Sequence, residues 1–304
     1  MQMIDQEPLV SICLLTYNHE KYIRQAVDSI LNQNISFAYE LLIADDASTD
    51  YTQEILKKNY SDIRNIRLIL REKNSQGENA YLVFQEAKGK YIYYCEGDDY
   101  WIGKDGLQML VEWLEKHEQY VGVAGRRITL SEKTGLMSIR YDLKTDDSEI
   151  CLNDFLENRA TFDMCAVLYR NFYKDGRYNY KYYQASRKVG DLTIQIYVLL
   201  HGNVFQLNKI VGVYRTDRIR SARSYCSTTN GKQMFEDHME IISALPNLIS
   251  DKIDFSKKRR VYVDWYLSTI PSAYEILCQT SYLQRHIGIK MTLESLYKWI
   301  ICKR

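Results

Sequence analysis

Short apolar runs alternate, along the first half of the chain, with stretches whose apolar residues recur at helical spacing. The apolar runs lie at 10–15, 41–44, 66–70 and 91–95. Each is short and mostly apolar, with Ser11 in the first and Arg67 in the third, as expected for a buried strand. Between them, helical stretches lie at 22–31, 50–60 and 83–87. This alternation predicts an α/β fold with a Rossmann-like, mostly parallel sheet flanked by helices.

Polar residues that follow two of these strands are expected to begin helices. Asn18 is a favourable N-cap residue for the first helix. Asp50, followed by Gln53, resembles a capping box for the second helix.

The second half of the chain has a less regular pattern. The spacing predicts a helix at 107–114, a strand at 120–124, an irregular surface excursion at 126–148, a short helix at 153–159 and a strand at 165–169. A helix is expected from Asp191 to Gly202, and a hairpin from Val204 to Tyr214. From Gln233 onward the pattern is helical, which predicts a main domain at 1–231 and a small helical appendage at 232–304.

Three carboxylates surround one glycine where the fourth strand ends, in the order Glu96, Gly97, Asp98 and Asp99. Like charges this close together are unfavourable unless a cation or hydrogen-bond donors neutralise them. Mg²⁺ and Mn²⁺ bind oxygen ligands of this kind and keep coordination positions open for phosphates. The alternative is a solvated turn whose aspartates only cap the next helix.

Polar residues also follow the first two strands, at the same predicted edge of the sheet. Thr16, Tyr17 and Asn18 come after the first strand, and Asp45 and Asp46 come after the second. Ligands of open α/β sheets bind beyond the carboxyl ends of the strands, so this shared position favours the cation site.

Composition narrows the class of protein. The chain has 304 residues, 40 basic and 39 acidic side chains, and seven cysteines without a CxxC pair. A balanced charge argues against a nucleic-acid binder, and the cysteines suit reduced thiols in the cytoplasm. We expect neither a signal peptide nor a spanning helix, since no apolar run is long enough. Neither a GxGxxG nor a Walker A sequence is present, which disfavours a dinucleotide or P-loop site.

Four further features each have two interpretations. The tyrosine-rich, basic stretch at 173–183 could stack on sugars or bases, or form a surface loop. The arginines at 215, 218, 220 and 223 could bind a pyrophosphate or belong to a solvated loop. Asp191, judged locally, is an N-cap. The last segment, 287–304, has an apolar face that suits a membrane surface or packing against the main domain.

Taken together and in order, several motifs resemble those of the family 2 glycosyltransferases of the GT-A fold. The matching pieces are Val10-Ser11-Ile12 through Thr16-Tyr17-Asn18, Tyr22-Ile23, Ser29-Ile30-Leu31-Asn32-Gln33, Asp45-Asp46-Ala47-Ser48-Thr49-Asp50, Asn74, Gly89-Lys90-Tyr91-Ile92 and Glu96-Gly97-Asp98-Asp99-Tyr100-Trp101. The resemblance covers roughly 8–215.

The resemblance implies roles for individual residues. Glu96-Gly97-Asp98 stands in the place of the DxD motif, so Asp98 would bind the cation, with Glu96 or Asp99 assisting. Asp191, in Gly190-Asp191-Leu192, matches the position of the catalytic base. The donor site would comprise Thr16, Tyr17, Asn18, Asp46, Asn74, Gly97, Asp98 and Arg215. Arg215 is included because Thr216 and Asp217 follow it where the family usually has a histidine.

The function that the resemblance implies is an inverting transfer of sugar, assisted by Mn²⁺ or Mg²⁺. The donor would be a nucleotide-diphosphate sugar, with UDP favoured, and the acceptor a hydroxyl of a glycan or lipid-linked oligosaccharide. Such an enzyme would be cytoplasmic; peripheral contact with the inner face of the plasma membrane and a homodimer are left open. The alternatives are a sugar nucleotidyltransferase and a non-catalytic scaffold that binds sugar nucleotides.

Overall fold

The computed structural model of the chain describes residues 7–139, 147–175, 190–216, 230–248, 253–270 and 273–302. The N-terminal elements are β1 (Val10–Thr16), α1 (Ile23–Leu31), β2 (Tyr39–Asp45), α2 (Thr52–Tyr60), β3 (Ile66–Leu70), α3 (Asn79–Glu86), β4 (Tyr91–Glu96), β5 (Tyr100–Trp101) and α4 (Gly106–Lys116). They follow the alternation of strands and helices that the sequence pattern predicts.

The later elements are β6 (Gly122–Ser131), β7 (Met137–Ile139), β8 (Ser148–Ile150), α5 (Leu152–Leu156), a 3₁₀ turn at Met164–Ala166, β9 (Val167–Arg170), a 3₁₀ turn at Tyr173–Asp175, α6 (Gly190–His201), β10 (Val204–Thr216), α7 (Gly231–Leu248), α8 (Ser256–Ser268) and α9 (Ala273–Cys302). The backbone of α9 is not helical at Gly288, where φ is 77° and ψ is 164°.

The strands of the described residues join in one sheet, in the order β3-β2-β1-β4-β9-β6-β10-β5, with β7 beside β6 and β8 beside β10. β3, β2, β1 and β4 are mutually parallel. β9 is antiparallel to both of its neighbours, β4 and β6, and β10 is parallel to β6. The carboxyl ends of β1, β2 and β4 therefore open at one edge, where a cleft can form.

Both faces of this sheet are buried. Along β1, Ile12 and Leu14 pack into one apolar cluster with α1 and α4, while Cys13 packs into another with α3 and α6. All three side chains are fully buried. Fully burying a side chain of this size stabilises the fold by about 1.5–3 kcal/mol, so both layers hold the sheet rigid behind its edge.

The predicted cap at Asn18 and the predicted capping box at Asp50 and Gln53 are wrong. Asn18 does not cap α1: it has a φ of 57°, and the residue before the helix is Tyr22, which makes no side-chain capping bond. Asp50 and Gln53 form no capping box, because Gln53 donates instead to Asp45 Oδ1 at 2.6 Å. Asn18 and Gln53 thus serve the loops at the sheet edge, whereas Asp50 Oδ1 accepts a bond from the backbone of Thr52, the first residue of α2, at 3.0 Å.

Two predictions about the later strands are also wrong. The segment expected to be a hairpin is one strand, β10, with a register shift between Gln206 and Ile210 along β6. The expected surface excursion begins later than predicted, because β6 continues to Ser131 and pairs with β7. Residues 140–146 of that excursion lie outside the described residues.

The C-terminal helices pack on each other and on α6. Their shared core consists of Phe235, Met239, Val263, Tyr266, Leu267, Ile270 and Leu283. Ile241, Ile242 and Leu245 of α7 join the cluster that also buries Ile196 and Leu199 of α6. No helix within the described ranges is long and apolar enough to cross a membrane.

Candidate active site

The acidic turn, Glu96 to Asp99, lies where β4 ends at the sheet edge. One carboxylate oxygen from each of Glu96, Asp98 and Asp99 lies within 4.8 Å of the others. Gly97 sits against β1: a Cβ added to it would lie 2.8 Å from Thr16 Oγ1. Only glycine allows this approach, and the predicted donor residues Gly97 and Thr16 are thus in contact.

Electrostatic repulsion is strong within this turn. Burial raises the pKa of Asp99 well above its ordinary value, and the neighbouring charge of Glu96 raises it further. Tyr94 donates its hydroxyl to Glu96 Oε1 at 2.9 Å. Two or three carboxylates held in this way favour a bound cation, which would relieve the repulsion.

Arg215 of β10 hydrogen-bonds to two residues of the acidic turn. Its backbone N–H donates to Asp99 Oδ1 at 2.9 Å, and its guanidinium donates to the backbone oxygen of Asp98. The guanidinium also bonds Glu132 at 2.9 Å and Gln25 at 2.5 Å. Arg215 is only 3% exposed, so it fixes the turn from within the protein.

Asp98 has a partner that sequence reasoning missed. His19 Nε2 lies 3.3 Å from Asp98 Oδ2, and both side chains are buried. Glu96 and Asp99 line the adjoining cleft, whereas Asp98 is fully buried beneath it. His19 follows the motif Thr16-Tyr17-Asn18 directly, and no spacing in the sequence points from it to a residue 79 positions later.

The loops after β1 and β2 are bonded to each other. Asn18 Oδ1 accepts a bond from the backbone of Thr49 at 2.7 Å. Asp46 Oδ1 accepts one from the backbone of Ser75 at 2.7 Å, and Asn74 donates to the backbone oxygen of Asp46 at 2.9 Å. The predicted donor residues Asn18, Asp46 and Asn74 thus belong to one network, next to the half-buried Tyr17.

A cleft of about 320 Å³ extends from the acidic turn to the helices. Its polar lining includes Glu96, Asp99, Arg127, Asn158, Thr161, Asp163, Asp191, Gln195, His238 and Lys258. Arg127 Nε pairs with Asp163 Oδ1 at 2.7 Å, a contact that joins β6 to the segment before β9. The cleft brings the predicted base and two of the predicted metal ligands to one space.

Asp191 reaches the cleft from the first turn of α6. That helix begins at Gly190, so the local expectation that Asp191 is an N-cap is wrong. Solvent reaches the carboxylate, but the surrounding protein desolvates it and raises its pKa to about 7. The charges of Glu96 and Asp163 raise the pKa further, and Arg127 opposes them. A carboxylate with this pKa is suited to exchange protons near neutral pH.

Parts of two predicted features cannot be placed. Arg218, Arg220 and Arg223, and the stretch from 176 to 183, lie outside the described residues.

The fold is that of known sugar-transferring enzymes. The structure is similar to the crystal structure of Staphylococcus aureus TarS in complex with UDP-GlcNAc, with a TM-score of 0.66 and 19% identity. The match covers 91% of this chain and 81% of that chain. The predicted GT-A fold with C-terminal helices is confirmed.

The family is shown by the sequence itself. The model described as Glycosyl transferase family 2 matches residues 11–184, more than half of the chain. The chain therefore belongs to glycosyl transferase family 2, the class of enzyme that the motifs predict.

Individual relatives cover the chain unevenly. An uncharacterized protein of Mycobacterium tuberculosis is 39% identical over 112 residues, which are 36% of this chain and 32% of the relative. The chain thus matches only about a third of that relative's length. The GalNAc(5)-diNAcBac-PP-undecaprenol beta-1,3-glucosyltransferase of Campylobacter jejuni is 23% identical over 303 residues, covering 97% of this chain and 93% of the relative.

Proposed function

We propose that this protein transfers a sugar, with inversion, from a UDP-sugar to a hydroxyl of a glycan or lipid-linked acceptor. The observation that carries the proposal is the shared cleft: Asp191 lines one wall and Glu96 and Asp99 line another. Such an arrangement would place a proton acceptor and a diphosphate site around one reacting centre.

Asp191 would act as the general base. Its carboxylate would accept the proton of the acceptor hydroxyl while that oxygen forms its bond to the anomeric carbon. The bond from that carbon to the diphosphate oxygen would break, and the electron pair would leave with the nucleotide. A single displacement of this kind inverts the anomeric centre.

The acidic turn would hold a divalent cation, Mn²⁺ or Mg²⁺. The donor set fits, since it offers three hard oxygen ligands close enough to share one ion. When bound, the ion would offset the charge that develops on the departing diphosphate. His19 and Arg215 would keep Asp98 and Asp99 in place as the turn takes up its ligand.

The loop network beside the turn would receive the nucleotide. Tyr17 would border the base with Thr16 next to it, and Asp46 would hydrogen-bond the base or ribose. Asn18 and Asn74 would hold these loops, because both bond across them. Gly97 would let the turn lie close enough to β1 for the diphosphate to span both.

A peripheral contact with the inner face of the plasma membrane is part of the proposal, and the exposed apolar residues of the C-terminal helix support it. Ile289, Leu293 and Tyr297 recur every four residues after the break at Gly288, and they are 64%, 57% and 68% exposed. A lipid-linked acceptor would be reached from there. A cytoplasmic location and a homodimer are further parts of the proposal.

Binding of UDP to the full chain, titrated calorimetrically with Mn²⁺ and with EDTA, tests the donor and metal sites. We expect Mn²⁺ to tighten UDP binding by at least about tenfold, and transfer or slow hydrolysis of a UDP-sugar to need the ion. Asp98→Asn should remove the effect of Mn²⁺, as should the milder Glu96→Gln. The exposed Asp62→Asn is the matched control. Equal UDP affinity in Mn²⁺ and EDTA would contradict the metal site.

A further inference from the structure

A buried lysine lies in the helical wall of the cleft. Lys258 of α8 lines the same space as Asp191, yet it is only 4% exposed. Its Nζ donates to the backbone oxygen of Phe155 at 2.9 Å and lies 4.1 Å from the centroid of that ring. The ring of Tyr262 lies on another side, 5.6 Å away.

No carboxylate among the described residues pairs with this ammonium group. An unpaired buried charge costs several kcal/mol unless some anion offsets it. Burial lowers the pKa of Lys258 to about 8, which still leaves most of the amine protonated at neutral pH. The described residues thus keep a positive charge beside the cleft and supply no carboxylate to pair with it.

Neighbouring cations of the same region are neutralised within the protein. Lys257, one position earlier, is exposed and pairs with Glu157. Arg127, on the sheet side of the cleft, pairs with Asp163 at 2.7 Å. Lys258 differs from both, because no carboxylate of the described residues pairs with it.

Polar groups suited to a hydroxylated ligand lie in the same cleft. Asn158, Thr161 and Gln195 offer amide and hydroxyl groups. His238 adds no charge: its Nδ1 donates to the backbone oxygen of Met234 at 2.6 Å, and burial lowers its pKa. Positive charge at this end therefore comes from Lys258 among the described residues.

We propose that Lys258 binds an anionic group, a phosphate or a carboxylate, on the acceptor that receives the sugar. This inference rests on the proposed function, in which the acceptor hydroxyl must reach Asp191 inside the same cleft. The donor diphosphate has its own site at the acidic turn, which is built by β4 and β5. Lys258 comes from the C-terminal helices, so it is placed to recognise the other substrate.

A purely structural role for Lys258 has a different consequence. The bond to Phe155 places the ammonium at the end of α5, where a cation stabilises the last carbonyls of a helix. That bond uses one of three N–H groups, and no described residue accepts a bond from the other two. A capping lysine would affect stability, whereas a recognition lysine would distinguish charged from neutral ligands.

Matched pairs of small probes test the proposal on the full chain in the presence of UDP and Mn²⁺. Glycerol phosphate is compared with glycerol, and glucuronic acid with glucose, by calorimetric titration. We expect the anionic member of at least one pair to bind about tenfold more tightly, as a charge-assisted bond allows. The pair that shows the difference identifies phosphate or carboxylate as the group.

Variants assign that preference to the residue. Lys258→Met keeps the stem and should abolish the preference, Lys258→Arg should retain part of it, and the control Lys257→Met should leave it intact. UDP affinity should stay the same in all three.

Three results would overturn the proposal. The first is equal binding of charged and neutral probes to the unaltered protein. The second is a loss of UDP affinity in Lys258→Met, which would assign the lysine to the donor diphosphate. The third is a lower melting temperature in Lys258→Met with the preference kept, which would assign it to α5. A protein that binds no UDP would refute the proposed function, while the probe pairs measured without UDP would still report on Lys258.

Discussion

The two walls of the cleft are built in different ways. At the sheet edge, polar groups are already bonded to one another: Asp45 accepts from the backbone of Ser48 at 2.9 Å and from Gln53 at 2.6 Å. In the helical wall, Asp191 is exposed to solvent and Lys258 has no carboxylate partner among the described residues. The loops after β1 and β2 are thus hydrogen-bonded within the protein before any ligand arrives, whereas the charged groups of the helical wall are left for a ligand.

This difference predicts that substitutions in the two walls will have different effects. A buried group whose bonds are complete contributes to stability, and its loss leaves partners unsatisfied. A group that faces the cleft is available to a ligand, so its loss should change how the substrate binds or reacts. Substitutions of the buried residues in the loops after β1 and β2 should therefore lower the free energy of unfolding, whereas substitutions in the helical wall should change turnover or binding.

The largest effect is expected from Asp191→Asn. Loss of a general base typically lowers turnover by about 10²–10⁴-fold, and the amide cannot accept the acceptor's proton. UDP affinity should be unchanged, because the proposed donor site lies at the sheet edge. Steady-state kinetics with calorimetric UDP binding measure both, and Asp62→Asn again serves as the control. Turnover near that of the unaltered protein would refute the assignment of the base.

Asp45→Ala should produce the opposite pattern. Asp45 is fully buried, and removing its carboxylate takes away the acceptor of the Ser48 backbone and one of the two acceptors of the Gln53 amide. We expect a loss of about 3 kcal/mol in the free energy of unfolding, measured by denaturant titration. Asp45→Asn should lose less, because its amide oxygen still accepts. A midpoint unchanged by Asp45→Ala would break the distinction between the two walls.

Sequence reasoning succeeded where local pattern and sheet geometry agree. The buried runs predict β1 to β4, and strand order alone then brings Thr16, Asp46 and the acidic turn to one edge. It failed at the turn after β1, because asparagine at position 18 favours loop bonding as much as helix capping. β10 was mistaken for a hairpin because Asn208 and Lys209, which resemble a turn, lie at its bulge.

Contacts between elements far apart in the sequence could not be predicted from its pattern. The contact between His19 and Asp98 joins the segment after β1 to the turn after β4. The contact between Lys258 and Phe155 joins α8 to α5. Neither pair has a spacing that marks it, and a lysine in an amphipathic helix is normally exposed. The helical wall, which depends on such contacts, was the less predictable one.

The pH dependence of kcat/KM tests the same comparison through a smaller effect. Desolvation, followed by the charges of Glu96 and Asp163, raises the pKa of Asp191 to about 7. Only the ionised base accepts a proton, so kcat/KM should rise about tenfold per pH unit below that value and level off above it. Asp163→Asn removes one raising charge and releases Arg127, and the midpoint should move to lower pH. A profile that is flat between pH 5 and 8 would exclude Asp191 as the titrating base.

The free energy of unfolding should also depend on the ionisation of Asp191, but it should fall with rising pH where kcat/KM rises. The pKa of Asp191 is raised in the folded protein, so the folded state binds more protons than the unfolded state between about pH 4 and 7. Its contribution to the free energy of unfolding is complete below about pH 4 and is lost as the pH rises through 7. Asp191→Asn lacks this contribution, so the unaltered protein should lose stability relative to the variant between pH 5 and 8. Denaturant midpoints at the two pH values measure the difference, and a matching midpoint shift in both proteins would mean that Asp191 does not titrate there. Ionisation of Asp191 should therefore lower the free energy of unfolding while it raises the rate of the reaction, as expected for a group that serves catalysis rather than the fold.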